Sequence, residues 1–266
     1  MGRRNYIPGI MGGIDTKIEK FPYVVQIAHW IGSAWTVQCD GVILEFNIIL
    51  TAGHCIPIKF LNTKRNLGIE ILAGTTFLED FYGGKFRNVR KKDIRIHPLY
   101  NILPGGGVDY DVALIKLKQK LRYSQKIKTI TITTEDYEDM SNTDGKYTGT
   151  LVGWGYTGPK TRPHILQKIK LDILGKENCQ KFSYYGVTDR IFCAIYKKDY
   201  TRGGCGADSG GPFIVSDMLY GIVSSGFGGR NCSFDADKLL HLTRLTERNI
   251  SDWIRKTKKE LLKDDL

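Results

Sequence analysis

Nowhere does the chain hold the roughly 18 consecutive apolar residues that a membrane-crossing helix needs, so no such span is expected. The first residues, Met1-Gly2-Arg3-Arg4-Asn5-Tyr6, lack the apolar core of a secretory signal. Cysteine and histidine are scarce, 6 and 5 in 266 residues, and neither forms a Cys-x-x-Cys or a closely spaced His pair. That argues against a zinc site, which draws on clustered ligands. Glu79 and Asp80 are followed by Gly83-Gly84-Lys85, which supplies no further acid for calcium. No metal and no cofactor are therefore expected. Acid is also short against base: 28 Asp and Glu face 39 Lys and Arg, a formal net charge of +11. The excess is spread along the chain, with runs at 87–92 and 255–259, and reads as a solvated basic surface. Attraction to sulfated glycans, acidic proteins or membrane surfaces is the sharper reading of the same charge. Nucleic-acid recognition has no motif behind it.

Helical periodicity is nearly missing as well. Short apolar or alternating runs recur instead, at 23–28, 41–44, 48–51, 69–73, 94–97 and 112–117. After a polar stretch at 133–146 they resume at 148–153, 166–171, 191–194, 212–215, 219–224 and 241–245. Strands this short and this dense predict an all-β barrel or sandwich and not a βαβ sheet. With 41% hydrophobic residues the chain can bury a sizeable core, and all-β folds of this length often form one domain. Only the end reads as a helix: Ile250, Trp253, Ile254 and Leu261 share one face, and Thr246 is placed to cap the start. That helix is expected to lay its Trp side on the second half of the chain.

The stretch that concentrates chemistry is Gly203-Gly204-Cys205-Gly206-Ala207-Asp208-Ser209-Gly210-Gly211-Pro212. A serine hydroxyl is a weak nucleophile until a base takes its proton and donors cradle the resulting oxyanion. A glycine-rich turn can present such a hydroxyl together with free backbone N–H groups. Thr51-Ala52-Gly53-His54-Cys55 offers a base, and Asp109-Tyr110-Asp111-Val112-Ala113-Leu114 offers a carboxylate at the mouth of an apolar run. The order His54, Asp111, Ser209, with these flanks, resembles the trypsin/chymotrypsin family of serine peptidases. The resemblance runs from Ile10-Met11-Gly12-Gly13 to Trp253-Ile254.

Several expectations follow from the resemblance. It implies two six-stranded antiparallel β-barrels with a C-terminal α-helix: barrel 1 over about 10–121, barrel 2 over about 122–245 and the helix over about 246–262. It implies a secreted serine endopeptidase in which His54 is the base, Asp111 orients it and Ser209 attacks. Asp109 is the rival carboxylate, but Asp111 directly precedes the apolar run. His29, His97, His164 and His241 are read as structural. The oxyanion donors would be the N–H groups of Ala207 and Ser209; relatives usually carry Gly at the first position, so Ala207 is a departure. Residues 1–9 would be an activation segment, and a cut before Ile10 would free an amine to pair with Asp208. Gly9 precedes that cut, where Lys or Arg is usual.

The substrate pocket would have Gly203 at its floor and Ser224-Ser225-Gly226 along its edge. A neutral floor favours a large apolar or aromatic side chain over Lys or Arg. The alternative is that Asp235 or Asp237, in the loop 228–240, approaches the pocket and restores basic specificity. Disulfides Cys39–Cys55, Cys179–Cys193 and Cys205–Cys232 are implied by the family and not by the spacing, since six cysteines allow many connectivities. Disulfides suit secretion, as do the sequons at Asn231 and Asn249. The expected partners are protein or peptide substrates and protein protease inhibitors, met by a monomer. The competing reading is a non-catalytic homologue, a binding or regulatory protein in which Ala207 and Ser225 mark decay.

Overall fold

A computed structural model describes residues 9–57, 68–104, 106–136, 146–158, 160–183, 186–197, 203–225 and 239–263. In chain order its first strands are β1 (Ile14–Asp15), β2 (Val24–Trp30), β3 (Trp35–Glu45), β4 (Ile48–Thr51) and β5 (Ile69–Ala73). Then come β6 (Lys85–Val89), β7 (Ile94–Ile96), β8 (Asn101–Ile102), β9 (Val108–Asp109) and β10 (Ala113–Lys116). The second half contributes β11 (Thr148–Gly153), β12 (Gln167–Ile173), β13 (Ile191–Ile195), β14 (Pro212–Val215), β15 (Met218–Ser225) and β16 (Leu240–Arg244). Helix α1 (Lys176–Phe182) lies between β12 and β13, and α2 (Arg248–Lys263) ends the described chain.

The two halves pair separately. β12, β11, β14, β15, β16 and β13 follow one another, and β13 pairs back onto β12, closing a six-stranded barrel with β1 attached to its β12 edge. The first half forms a seven-stranded sheet in the order β6-β5-β2-β3-β4-β10-β7. All seven strands send residues into a single apolar core that includes Ile27, Ile43, Ile49, Ile71, Val89, Ile94 and Ile115. The seventh strand, β6, departs from the expected six. Its sequence, Lys-Phe-Arg-Asn-Val, has too little apolar alternation to announce a strand, and it joins only the outer edge of β5. β3 also runs longer than the expected 41–44, because its first half pairs with the exposed end of β2.

A second apolar layer joins the halves. Val42, Leu50 and Leu114 meet Val152, Trp154 and Ile222, and α2 adds Ile250, Ile254 and Leu261. The helix begins at Arg248, and its first turn is capped by the Glu247 carboxylate, which accepts the Ile250 N–H at 3.1 Å; Thr246 is not the cap. Trp253 rests on the His97 ring, just after β7, at 5.0 Å between centroids. The Trp side of the helix thus meets the second barrel as expected, through the layer that holds Val152, Trp154 and Ile222, and also reaches the first sheet at His97. No described helix is long and apolar enough to cross a membrane.

Candidate active site

Strand register brings His54 and Asp111 together. β10 pairs with β4 so that Ala113 faces Thr51. Asp111, two residues before Ala113, then meets the tight turn Gly53–Cys55 that follows Thr51. The turn is pinned from below, since Cys55 is bonded to Cys39 on β3. Asp111 Oδ2 lies 2.7 Å from His54 Nδ1, and Oδ1 accepts the His54 backbone N–H at 2.9 Å. The Ser224 hydroxyl donates to Oδ2 at 2.6 Å, and the Asp111 carbonyl accepts from Thr243 Oγ1 at 2.9 Å. Asp111 is 1% exposed and the His54 side chain 30%. Burial disfavours the imidazolium, but the charge and hydrogen bond of Asp111 outweigh it and hold the His54 pKa above its ordinary 6.5.

Asp109 is engaged elsewhere. Tyr110 between the two acids takes φ +50°, so successive carboxylates turn apart. Asp109 Oδ2 pairs with Arg190 at 2.5 Å and Oδ1 accepts from Thr188 at 2.8 Å. Burial pushes its pKa up, yet the Arg190 and Thr188 hydrogen bonds prevail and lower it. Arg190 also lies over the Tyr110 ring, which stacks on His97.

The Ser209 turn belongs to the second barrel but is held by both. The Asp40 N–H on β3 donates to the Ser209 carbonyl at 2.8 Å, and the Gly210 N–H donates to Val223 on β15 at 2.7 Å. Gly210 has φ +78°, and a Cβ there would fall 2.2 Å from Thr51 Oγ1, so only glycine fits. Cys55 Sγ lies 4.0 Å from His54 Nε2 and 3.6 Å from the Ser209 carbonyl oxygen, which sets the first disulfide between imidazole and serine. Among the described residues no hydrogen bond joins His54 Nε2 to the Ser209 hydroxyl. Ala207 takes φ +71°, a left-handed conformation that costs a residue with a Cβ roughly 1–2 kcal/mol.

Beneath the turn sit two buried acids, Asp208 and Asp40, both 0% exposed. Asp208 accepts the Gly155 N–H at 2.8 Å and the Cys205 N–H at 3.0 Å. Burial pushes its pKa up to about 7, against the opposing pull of those N–H groups and Arg162. Asp40 Oδ2 accepts the Trp154 N–H at 3.1 Å, whereas Oδ1 has no partner among the described residues. A Cβ built on Gly153 would fall 2.4 Å from both Asp40 Oδ2 and Asp208 Oδ1, so the two carboxyls are neighbours. Burial first, and the Asp208 charge second, raise the Asp40 pKa well above the carboxylate range. Arg162, bonded to the carbonyls of Val37 and Trp154, is the cation near both.

Ile10 is fully buried in the core of the second barrel with Leu151, Phe213 and Leu240. Its φ of +42° is strained for a β-branched residue. Next to it the Met11 carbonyl accepts the Gly203 N–H at 3.1 Å, so the start of the described chain runs alongside the segment that leads into Ser209. Gly203 and Ser224 are buried and Ser225 half-buried. Cys179 is bonded to Cys193, and Cys205 is also in a disulfide. Gly226, Cys232, Asp235 and Asp237 lie outside the described residues.

One grouping of metal-ligand side chains occurs among the described residues, Cys39, His54 and Cys55, but its sulfurs are bonded to each other, which leaves the imidazole as the lone donor. Glu79 is occupied by the Val37 N–H and Asp80 by Thr75 and the Gly83 N–H. Two features escaped sequence reasoning. The bond from Ser224 to Asp111 spans 113 residues and has no local signal. Asp40 had a weak one, an acid directly before the apolar run 41–44.

The family model described as Trypsin matches residues 10–254. Hypodermin-A of Hypoderma lineatum is 33% identical over 228 residues, covering 82% of this chain and 77% of its own length. Trypsin of Sarcophaga bullata is 31% identical over 259 residues, covering 95% and 90%. Clotting factor C of Tachypleus tridentatus is 28% identical over 242 residues, which are 82% of this chain but 23% of that longer protein.

Proposed function

Since the chain belongs to the trypsin family of serine endopeptidases, we propose that it hydrolyses peptide bonds through His54, Asp111 and Ser209. The observation that carries this reading is the double hold of Asp111 on His54, through ring and backbone, which presents Nε2 toward the side where Ser209 lies. Ser209 attacks the scissile carbonyl while His54 takes its proton. Asp111 fixes the imidazole tautomer and stabilises the imidazolium, and His54 then returns the proton to the leaving amine. The N–H groups of Ala207 and Ser209 receive the oxyanion.

The protein is made as a secreted zymogen and acts as a monomer on protein substrates, with protein inhibitors as further partners. A cut before Ile10 frees an ammonium that pairs with Asp208. Two buried acids near Arg162 support this, because a second cation there would offset the cost of their burial. The strained Ile10 backbone supports it too, as cutting releases that constraint. The uncharged floor at Gly203 favours an uncharged, apolar side chain before the scissile bond.

The test is to label the chain starting at Ile10 with a serine-directed phosphonate and locate the adduct by mass spectrometry. The adduct is expected on Ser209, and Ser209→Ala or His54→Ala is expected to lower turnover by on the order of 10⁶. A Ser209→Ala protein that keeps more than about a hundredth of the parental rate would overturn the assignment. No labelling of a chain whose Ile10 amine is free would favour a non-catalytic role.

A further inference from the structure

Leu240 opens β16, and its neighbour in the strand, His241, lies opposite Ser225 at the end of β15. On its other flank Leu240 pairs with Ala194 of β13. β16 therefore begins beside the edge Ser224-Ser225, across from the segment Gly203-Gly204. A Cβ built on Gly204 would fall 2.7 Å from Leu240 Cδ1, 3.5 Å from Leu240 Cδ2 and 3.0 Å from Leu151 Cδ2. Both methyls of Leu240 thus lie on the bare face of Gly204. The isobutyl group crosses from β16 to the segment that precedes Ser209, and none of its surface is exposed.

We infer that Leu240 fills the inner part of the substrate pocket, so the enzyme accepts a small apolar side chain, Ala or Val, before the scissile bond. This rests on the proposed reading of Gly203 and Ser224-Ser225 as pocket floor and edge. It replaces the large apolar or aromatic preference that a bare glycine floor suggests by itself. An aromatic ring has to displace a leucine that lies against Gly204 beside Leu151, in a core that also holds Phe192 and Phe213, and close-packed interiors resist added volume. Among the described residues the face at Gly204 offers an Arg or Lys side chain the methyl groups of Leu240 and Leu151, against which it would lose its hydration. Discrimination by pocket volume amounts to about 10–200-fold per methylene.

The experiment uses the chain starting at Ile10, with active sites counted by the phosphonate titration. Its substrates are peptide amides identical except for Ala, Val, Phe or Arg before the scissile bond. Ala and Val are expected to exceed Phe and Arg by at least about 10-fold in kcat/KM. Leu240→Gly is expected to raise the Phe-to-Ala ratio at least about 10-fold, and Leu240→Ala to raise it less. A parental enzyme that favours Phe or Arg over Ala overturns the inference, and this needs no variant to fold. So does an unchanged ratio in a Leu240 variant that still titrates, which would make Leu240 a core residue only. A chain that never labels at Ser209 overturns the hydrolase reading along with the pocket, whereas labelling with aromatic preference overturns the pocket alone.

Discussion

His54 and Asp111 stand on the first sheet, where each oxygen of the Asp111 carboxylate has at least one donor and a disulfide braces the turn from β3. Ser209 stands in a turn of the second barrel that holds a residue at positive φ, Ala207, and covers two buried acids, one with an oxygen lacking a donor among the described residues. The first region is satisfied as it is, and its hydrogen bonds fix one geometry. The second stores cost, in backbone strain and in two carboxyls buried beside each other, whose burial outweighs the pull of Arg162. A base must hold one orientation throughout, so a fully bonded mount suits it. A turn that is switched by a chain cut has to be only marginally held before the cut.

The largest effect comes from breaking the satisfied region. Asp111→Asn is expected to reduce turnover by about 10⁴, the general magnitude for this carboxylate in the family. With the Asp111 charge gone, burial is left as the main influence on His54. The acid limb of kcat/KM, expected above pH 6.5 in the parent, should move below it in the variant. A pH–rate profile of both proteins checks this, and a limb that stays put would dissociate His54 from Asp111.

The next effect sharpens the costly region. In the uncut chain the Asp208 pKa is raised to about 7 by burial, and the groups facing it are Asp40, Arg162 and the N–H groups of Gly155 and Cys205. A raised carboxyl pKa contributes stability that is complete below the unfolded value near 3.9 and is lost as pH rises through about 7. Asp208→Asn removes that dependence. The Tm of the variant minus that of the parent is expected to grow from pH 4 to pH 8, on the order of 5–10 °C. In the chain starting at Ile10 the freed ammonium should shrink this growth. Thermal unfolding of both forms across that range decides it, and equal growth in cut and uncut protein would separate Asp208 from the activation switch.

The smallest effect concerns Ala207. Relieving a φ of +71° should favour the active peptide orientation, so Ala207→Gly is expected to raise turnover up to about 5–30-fold with little change in KM. Kinetics of the processed protein on one peptide ester measure it. A fall in turnover would mean that the turn is shaped around the alanine methyl.

Much of this could be read along the chain. Twelve of the sixteen described strands overlap the apolar runs directly, because alternation is a local property of neighbouring residues. The basic β6 and the first half of β3 were illegible, since their strand character comes from the edges they pair with. The helix cap moved from Thr246 to Glu247 because a long carboxylate reached the Ile250 N–H from one residue farther on. At the site, the flanks of His54, Asp111 and Ser209 were visible as motifs and Ser224 as part of the pocket edge, whereas the bond from Ser224 to Asp111 and the place of Leu240 had no local signal.

The sequence by itself determined the β character, the six cysteines and the three chemical stretches, because composition, periodicity and short motifs depend on residues close along the chain. Only the tertiary structure decided which of two acids meets His54, that Asp40 is driven in beside Asp208, and that Leu240 reaches Gly204. Each depends on strand register and on the packing of segments distant in sequence, where one residue of slip would send every side chain to the opposite face.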